Sequence, residues 1–502
     1  MAKQLPGRRT YRFLLVTEEI MQNILSRLPV LAFANAACVN KCWYKIGSQI
    51  LKRPKLASAL SLNPSLHVCC FCSNISNPVV KLKTNRAHQF LCNDYKDAVE
   101  EVTEQVLSEP IRPHFAIACI SKEFDLDLTH GLIIKKLGSS ILIITNIASG
   151  IIGVDGIADE LHEEKWETTT VGPNSQELDT IDRGLVLLFG FLPGLKISTI
   201  PLLRPMLESN KLVDKFVMDI LHYTSVVSDC QAPTAIIIFG DKTTDMKLVV
   251  SKMDCVMPEE TIIVGIREIQ FHVTMSKGLM PFGPKLEPCK TRRIEWVAVE
   301  ILNDLKQQFR DADMSADIYI SVTKETMRTN DSGILIPGRC LDFYRVKGGG
   351  GRYFNVHGVD IQPGDSFLFY HSDSETASST CVHAFNKLLT LKAELKSKNY
   401  LHLSKFADKD DKKEVPGGLI FSCDRRGESF FGEPFVDSSP FFDSFPTAPV
   451  AGLLCRGEIG RGPKSLMNEE NKDEKTPNCC LHVYSTIYLV MSYLPPPTCF
   501  LY

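Results

Sequence analysis

Apolar residues near the start of the chain recur at the spacing of short amphipathic helices. Between residues 18 and 28 four apolar positions fall on one helical face: Ile20, Ile24, Leu25 and Leu28. Thr17 can cap this helix and Pro29 ends it. A second short helix is predicted near residues 34–38, and a third carries Trp43 and stops before Pro54. Three helices this short bury too little surface to be stable alone, so the pattern predicts a module that docks on its own chain or on another.

Farther along, near-continuous apolar runs alternate with polar or helical stretches. A helix is predicted over 94–108. Three pairs of apolar runs follow, and the second run of each pair enters a glycine-containing turn: 113–121 with 139–153, 234–241 with 260–268, and 417–427 with 448–460. Long apolar runs of this kind are typical of strands in a sheet that is covered on both faces, with helical crossovers between them.

A different pattern separates the second and third pairs. Over 317–371, shorter runs broken by turn residues predict antiparallel strands, and a helix is expected over 376–397. The last apolar segment, 479–494, is predicted to be a buried strand. The leucines do not recur at the 20–29-residue period of a leucine-rich solenoid. The predicted fold class is therefore α/β (mixed α+β), with a small all-helical module at the N-terminus and a large two-part α/β domain with mixed sheets.

These patterns divide the chain into four parts. We expect the helical module at 14–58, a connector at 59–92, a first α/β part at 93–290 and a second at 291–494. The chain has 502 residues, of which 44% are hydrophobic and 23% charged, as in ordinary globular proteins. Its net charge of -3 gives no reason to expect a nucleic-acid or membrane partner.

Charge and targeting signals refine this picture. The first 55 residues carry ten lysines and arginines against two glutamates, which suits an acidic partner or a solvated face. The most apolar stretch, 141–157, is too short to span a bilayer and is interpreted as a buried strand. Without an export signal the 17 cysteines are expected to be reduced, in the cytoplasm or the nucleus.

The segment from Val16 to Trp43 resembles the F-box. The resemblance is carried by Val16-Thr17-x-Glu19-Ile20, by Ile24-Leu25-Ser26-Arg27-Leu28-Pro29 and by Cys38-Val39-Asn40-Lys41-Cys42-Trp43. The F-box usually opens with Leu-Pro, where this chain has Val-Thr. The resemblance implies that an apolar helical face binds the Skp adaptor, which joins a cullin scaffold. The predicted adaptor-binding residues are Ile20, Ile24, Leu25, Leu28, Pro29, Val39 and Trp43. The alternative is that these side chains pack only on one another.

Segments of the large domain are similar to the FIST sensory domain and occur in that family's order: 184–197, 354–373, 417–433, 449–460 and 481–489. An F-box followed by FIST resembles a plant type of F-box protein. The resemblance implies a non-catalytic substrate receptor of an SCF (Skp–cullin–F-box) ubiquitin ligase, with an unknown protein substrate on the large domain. FIST domains are thought to sense small ligands such as amino acids, so the alternative function is a small-molecule sensor.

Polar residues after two predicted strands form a candidate ligand or target site, comprising Cys423, Arg425 and Glu458. Strand ends are where α/β sheets carry ligands, and the neighbouring arginines are expected to lower the pKa of Cys423. Glu458 could accept a ligand amine. The alternatives are a structural cysteine at a strand edge and a carboxylate that caps backbone N–H groups. An enzyme acting through Cys423 is a third, less favoured hypothesis.

Metal and cofactor signals are weak. The best metal-ligand candidates are His67, Cys69, Cys70, Cys72, His88 and Cys92. Their Cys-Cys-x-Cys spacing is not that of a zinc site, so no metal is predicted. The glycines at 348–351 lack the sequence context of a phosphate loop, and no nucleophile elbow or zinc-protease motif is present. We expect no cofactor and no catalytic residue.

Overall fold

The structure is a computed structural model, and it describes most of the chain from residue 18 to residue 493. The described ranges are 18–63, 96–155, 160–166, 183–202, 210–228, 230–233, 235–240, 246–258, 261, 269–286, 300–304, 306–307, 317–329, 335–350, 353–357, 361–362, 365–397, 414–461 and 481–493.

The N-terminal segment forms three short helices, as the sequence predicts. They are α1 (Glu18–Leu25), α2 (Val30–Ala37) and α3 (Lys41–Leu51). Asn40 caps α3, because its side chain accepts a hydrogen bond from the backbone N–H of Trp43 at 2.9 Å. Pro29 precedes α2, where its fixed backbone suits a helix start. We call residues 18–51 the three-helix module.

The module leads almost directly into the centre of the large domain. Strand β1 (Lys55–Asn63) begins four residues after the end of α3 and pairs with β6 (Arg183–Phe191) and β4 (Gly150–Asp155). The expected boundary at residue 58 therefore falls within a strand, and residues 59–63 of the predicted connector belong to the sheet. The sequence concealed this because Ser58 and Ser61 interrupt the apolar run.

The main sheet has ten strands, ordered β3-β2-β6-β1-β4-β14-β13-β17-β7, with β5 paired to β4. Its other members are β2 (Phe115–Ile120), β3 (Leu142–Ile147), β5 (Glu160–Lys165), β7 (Ile269–Lys277), β13 (Glu414–Cys423), β14 (Val450–Cys455) and β17 (Ser485–Tyr493). Two predicted crossovers are confirmed, because β2 runs parallel to β3 and β13 runs parallel to β14. The sheet is mixed, as expected.

A second sheet has five antiparallel strands in the order β11-β10-β9-β12-β8. They are β8 (Leu279–Leu286), β9 (Ile318–Thr329), β10 (Leu335–Gly350), β11 (Tyr353–His357) and β12 (Ser366–Ser372). A small ladder joins β15 (Glu458–Ile459) to β16 (Leu481–His482). The antiparallel prediction for residues 317–371 is confirmed.

Helices link the strands and pack against both sheets. They are α4 over 96–106, α5 (Leu126–Leu137), α6 (Asn210–Ser228), α7 (Met246–Val256), α8 over 300–304 and 306–307, α9 (Ser374–Ser397), α10 (Glu428–Phe431) and α11 (Ser439–Ser444). The predicted long helix after the antiparallel region is α9, and α4 lies within the helix predicted over 94–108.

Alternate residues of the apolar strands face two different cores. In β2, Phe115 and Ile117 join a central core with residues of β13, β14 and β17, whereas Ala116 and Ile120 pack with α4 and α5. A third core lies between α9, α11 and the opposite faces of β13, β14 and β17. Burial on both sides explains why these strands are apolar throughout.

The structure differs from the sequence prediction at residues 235–240, and the main sheet draws strands from both sides of residue 290. Residues 235–240 form no strand, although Ile237 packs toward the central core and Ile238 toward the α6–α7 core, as a strand would. Most of the partner run at 260–268 lies outside the described residues. The expected division at residue 290 does not separate the two sheets, because β13, β14 and β17 join the earlier strands in the main sheet.

Candidate functional site

The three-helix module presents large apolar side chains to solvent. Five are about half exposed or more: Ile20 (51%), Ile24 (49%), Leu31 (76%), Val39 (62%) and Tyr44 (66%). We call them the exposed apolar set. Large apolar side chains that gather on one surface mark protein–protein contact sites, whereas single exposed ones are ordinary. None of the five belongs to the module's own hydrophobic core.

The same module has a small core of its own. Leu25, Phe33 and Ile46 are buried, and around them pack the partly buried residues Met21, Leu28, Ala36, Trp43, Ile50 and Leu51. This core fixes the three helices relative to one another. It therefore holds the exposed apolar set in a fixed arrangement before any partner arrives, which lowers the entropy cost of binding.

Polar contacts hold the module against the large domain. The backbone N–H of Val30 donates to the carbonyl oxygen of Leu107 at 3.2 Å, and Leu107 immediately follows α4. The ammonium of Lys55 lies 2.6 Å from a carboxylate oxygen of Glu109 and 3.3 Å from the carbonyl oxygen of Pro110. Together with the short link from α3 to β1, these contacts give the module one orientation on the domain.

A second cluster of functional groups lies where β13 and β14 end. Cys423 and Cys455 are paired across the two parallel strands; Cys423 is buried and Cys455 is partly buried. Glu458 lies three residues after Cys455, is 1% exposed, and accepts a hydrogen bond from the backbone N–H of Ser485 at 3.2 Å. Among the described residues, neither its Oε1 atom nor Oδ1 of buried Asp424 has a hydrogen-bond partner. We call Cys423, Asp424, Cys455 and Glu458 the strand-end cluster.

Burial raises the pKa of three groups in this cluster, Cys423, Cys455 and Glu458. It raises the pKa of Glu458 to about 8, against the weaker opposing effect of the Ser485 N–H. Burial also raises the pKa of Cys423 well above its ordinary value, and the nearby Glu458 carboxyl acts in the same direction. The expectation that neighbouring arginines lower the pKa of Cys423 is therefore wrong. The thiol stays protonated at neutral pH, which disfavours its use as a nucleophile.

The two arginines after Cys423 have different partners. Arg425 forms an ion pair with Asp317, which also accepts from Arg345 at 2.5 Å and from the Tyr484 hydroxyl at 2.5 Å. These contacts bridge the main sheet and the antiparallel sheet. Arg426 is fully buried and holds Asp437 through two hydrogen bonds, of 2.7 and 3.0 Å. Both guanidinium groups are thus committed to aspartates of this chain.

Other candidate sites are not supported. Among the described residues, no group of three or more histidine, cysteine, aspartate or glutamate side chains could hold a metal ion. The cysteines and histidines of residues 67–92 lie outside those residues. The helices that the structure describes include none that combines the length and the apolar character needed to cross a membrane.

Comparison with known proteins assigns the module. Residues 13–53 match the F-box domain model. The chain is also 31% identical over 545 aligned positions to an F-box/LRR-repeat protein of Arabidopsis thaliana, covering 95% of this chain and 93% of that relative. The chain belongs to the F-box proteins. The three-helix module is its F-box, and an F-box implies binding to the Skp adaptor of an SCF complex.

The relative's name also mentions leucine-rich repeats. In the described part of this F-box protein, successive strands do not stack as repeated parallel units. Strand β1 pairs with β4 and β6, and the main sheet mixes parallel and antiparallel neighbours. This architecture agrees with the lack of a leucine period in the sequence and differs from a solenoid.

The predicted adaptor-binding residues of the F-box occupy three kinds of environment. Ile20, Ile24, Val39 and Pro29 are exposed, Leu28 and Trp43 are half-buried, and Leu25 is buried. Ile20 and Ile24 are four residues apart and so share one face of α1. Leu25 faces inward, so any effect it has on a partner passes through the F-box core.

In the large domain, Cys423 and Glu458 lie close together, whereas Arg425 is held by Asp317 at the junction of the two sheets. Sequence reasoning missed Leu31, Tyr44 and Arg426. Leu31 and Phe33 are two positions apart on a helix, so they cannot both face the core, and this was a usable signal. Nothing in the sequence told which of two adjacent arginines is buried.

Proposed function

We propose that this F-box protein is a substrate-recognition subunit of an SCF ubiquitin ligase. The F-box binds the Skp adaptor through the exposed apolar set, and the large domain binds the protein to be ubiquitinated. The observation that carries the proposal is an F-box with a complete internal core whose remaining apolar side chains face solvent. Burying an exposed aliphatic side chain contributes roughly 1.5–3 kcal/mol before association costs.

The chain's role in this proposal is to bring partners together. The adaptor and cullin bring the ubiquitin-transfer enzymes, and the large domain brings the target, so the chain supplies proximity without chemistry of its own. The buried, protonated thiol of Cys423 supports a non-catalytic role. The F-box is joined by a short link to β1, which is paired within the main sheet, and this attachment supports a constant distance between adaptor and target.

The test is affinity purification of the full chain from cells, with wild type compared with Leu31→Arg. Leu31 is 76% exposed, so the charge should not disturb folding. Adaptor and cullin should co-purify with the wild type and be lost from Leu31→Arg, while proteins bound by the large domain remain. The matched control is Val226→Arg, which charges an apolar residue of α6 that is 69% exposed. Equal recovery of adaptor with both variants would refute the proposal.

The second candidate function is a small-ligand sensor built on a FIST domain. It is supported by the strand-end cluster and by the resemblance to that family of five segments that lie between residues 184 and 489. Two buried carboxyl oxygens there, on Asp424 and Glu458, accept no hydrogen bond from the part of the chain that the structure describes, and they lie after the ends of parallel strands. A carboxyl group in such a place can accept a ligand amine. An amino acid that raises the melting temperature of wild type, but not of Glu458→Gln, would support this function.

A further inference from the structure

A cleft of about 580 Å³ lies where the F-box meets the large domain. It is lined from the F-box side by residues of α1, of the turn after it, and of the end of α3. The large domain contributes the start of β1 and the segment after α4. The lining residues are Gln22, Asn23, Ser26, Arg27, Ile50, Arg53, Pro54, Lys55 and Glu109.

The charge on this cleft is unbalanced. Lys55 is neutralised by Glu109 at 2.6 Å, which is the cleft's acidic side chain. Arg27 and Arg53 are exposed, and in the described part of the chain no carboxylate or other acceptor contacts either guanidinium. Two positive charges therefore line the cleft without compensation, whereas the arginines at 425, 426 and 461 each hold an aspartate.

These groups define the chemistry of an occupant. A guanidinium donates hydrogen bonds and never accepts them, and its planar fork matches two oxygens of a phosphate. Charge-assisted Arg–phosphate bonds are about twice as strong as neutral ones. The amide groups of Gln22 and Asn23 add neutral donors, and Ile50 and Pro54 add an apolar wall.

We infer that the cleft between the F-box and the large domain binds a phosphate group, free or carried by a phosphopeptide, through Arg27 and Arg53. A dianion compensates both positive charges at once. Both arginines belong to the F-box side of the cleft, so the phosphate is held from that side, next to the Lys55–Glu109 ion pair. This site is separate from the exposed apolar set, and its test does not depend on adaptor binding.

The experiment is calorimetric titration of the purified full chain with pyrophosphate at low ionic strength. We expect saturable binding that weakens as salt is added, and at least about tenfold weaker binding by Arg27→Gln/Arg53→Gln. The control variant Lys135→Gln/Lys215→Gln removes two exposed charges of α5 and α6, away from the cleft, and should bind like wild type. Absence of saturable binding by wild type, or equal affinity in the two double variants, would overturn the inference.

Two further arms make the result specific. Arg27→Lys/Arg53→Lys keeps the charge but loses the fork geometry, and should bind with intermediate affinity. A phosphoserine peptide, compared with its unphosphorylated form, identifies the source of the phosphate: preference for the phosphopeptide indicates a protein ligand, and binding of pyrophosphate alone indicates a free phosphate compound. Unchanged circular dichroism melting of the glutamine variant shows that lost binding is not lost folding.

Discussion

The guanidinium of Arg426 is a fully enclosed charge whose bonds tie five segments of the large domain together. It donates to Asp437, to the Ser276 hydroxyl at 2.8 Å and to the Tyr484 carbonyl oxygen at 2.8 Å, and it also contacts the Cys381 sulfur. Burial alone would lower the pKa of Arg426, but Asp437 raises it above its ordinary value. A buried charge with this many partners is stable only while all of them are present.

Replacing Arg426 with leucine should therefore destabilise the large domain by about 3–5 kcal/mol, because it leaves Asp437 buried without a counter-ion. Urea unfolding followed by circular dichroism measures the change. The matched control is Lys136→Leu, which breaks an ion pair with Glu100 whose two side chains are 37% and 40% exposed, and it should cost no more than about 1 kcal/mol. An equal loss of unfolding free energy in the two variants would show that the buried hydrogen bonds of Arg426 do not stabilise the domain more than a surface ion pair does.

The pH dependence of stability follows from Glu458. Its pKa is raised by burial from 4.5 to about 8 in the folded protein, so the folded state binds a proton that the unfolded state releases. The stabilising contribution of the protonated carboxyl is complete below pH 4.5 and is lost as the pH rises toward 8. Glu458→Gln stays neutral, so its stability relative to wild type should increase between pH 5 and pH 8. Urea midpoints across that range test this.

The control for that titration is Glu433→Gln, which changes an exposed carboxyl in the same domain. Its stability relative to wild type should be the same at every pH in the range. If Glu458→Gln behaves like Glu433→Gln, the carboxyl of Glu458 is already ionised at pH 5 in the folded protein, which contradicts a buried, protonated Glu458.

At the scale of single elements, α1 places two neighbouring residues in opposite environments. Leu25 is fully buried in the F-box core, whereas Ile24 is 49% exposed. Leu25→Ala should destabilise the F-box by about 2–5 kcal/mol, because it removes buried methyl groups and leaves a cavity. Ile24→Ala should leave stability within about 0.5 kcal/mol and weaken adaptor binding. Hydrogen exchange of the α1–α3 amides in the full chain separates the two effects.

If both substitutions accelerate exchange equally, Leu25 is not a core residue of the F-box. If neither weakens adaptor binding, the exposed apolar set is not the contact surface. Leu25→Ala can weaken adaptor binding only by loosening the three helices. Its loss of affinity should therefore become smaller at low temperature, as the amides of α1–α3 regain protection from hydrogen exchange. The loss of affinity caused by Ile24→Ala should not change in this way.

Element prediction from the sequence succeeded where one residue pattern decides the structure. The helices of the F-box follow from apolar spacing and from Pro29 and Asn40, and the buried strands follow from continuous apolar runs. Residues 235–240 carry the alternation of a strand but form no ladder, because pairing depends on a neighbour distant in sequence. The difference between Arg425 and Arg426 is likewise decided by tertiary partners, Asp317 and Asp437, that no local pattern reveals.

For the whole molecule, the position of β1 makes the F-box part of the domain's architecture. This strand pairs along its full length with β6 and contacts β4, and Leu56, Ala59 and Leu60 are buried in it. The N-terminal F-box is therefore attached to a central strand and not to a flexible linker. The predicted connector missed this, because two serines in the strand resemble loop residues.

This position predicts different outcomes for two truncations. A chain that starts at Lys55 keeps β1 and should fold, whereas a chain that starts at residue 64 lacks a strand between β6 and β4 and should be insoluble or unfolded. Soluble yield and circular dichroism melting measure both. Equal folding of the two chains would show that β1 is dispensable and that the F-box is not anchored through it.

The central claim is that the exposed apolar set is a binding surface for the Skp adaptor, and calorimetric titration of the purified full chain with purified adaptor tests it most directly. The account predicts saturable one-to-one binding with a negative heat-capacity change, and loss of that binding in Ile24→Arg but not in Val226→Arg. Absence of binding by the wild type, or equal binding by both variants, would contradict it.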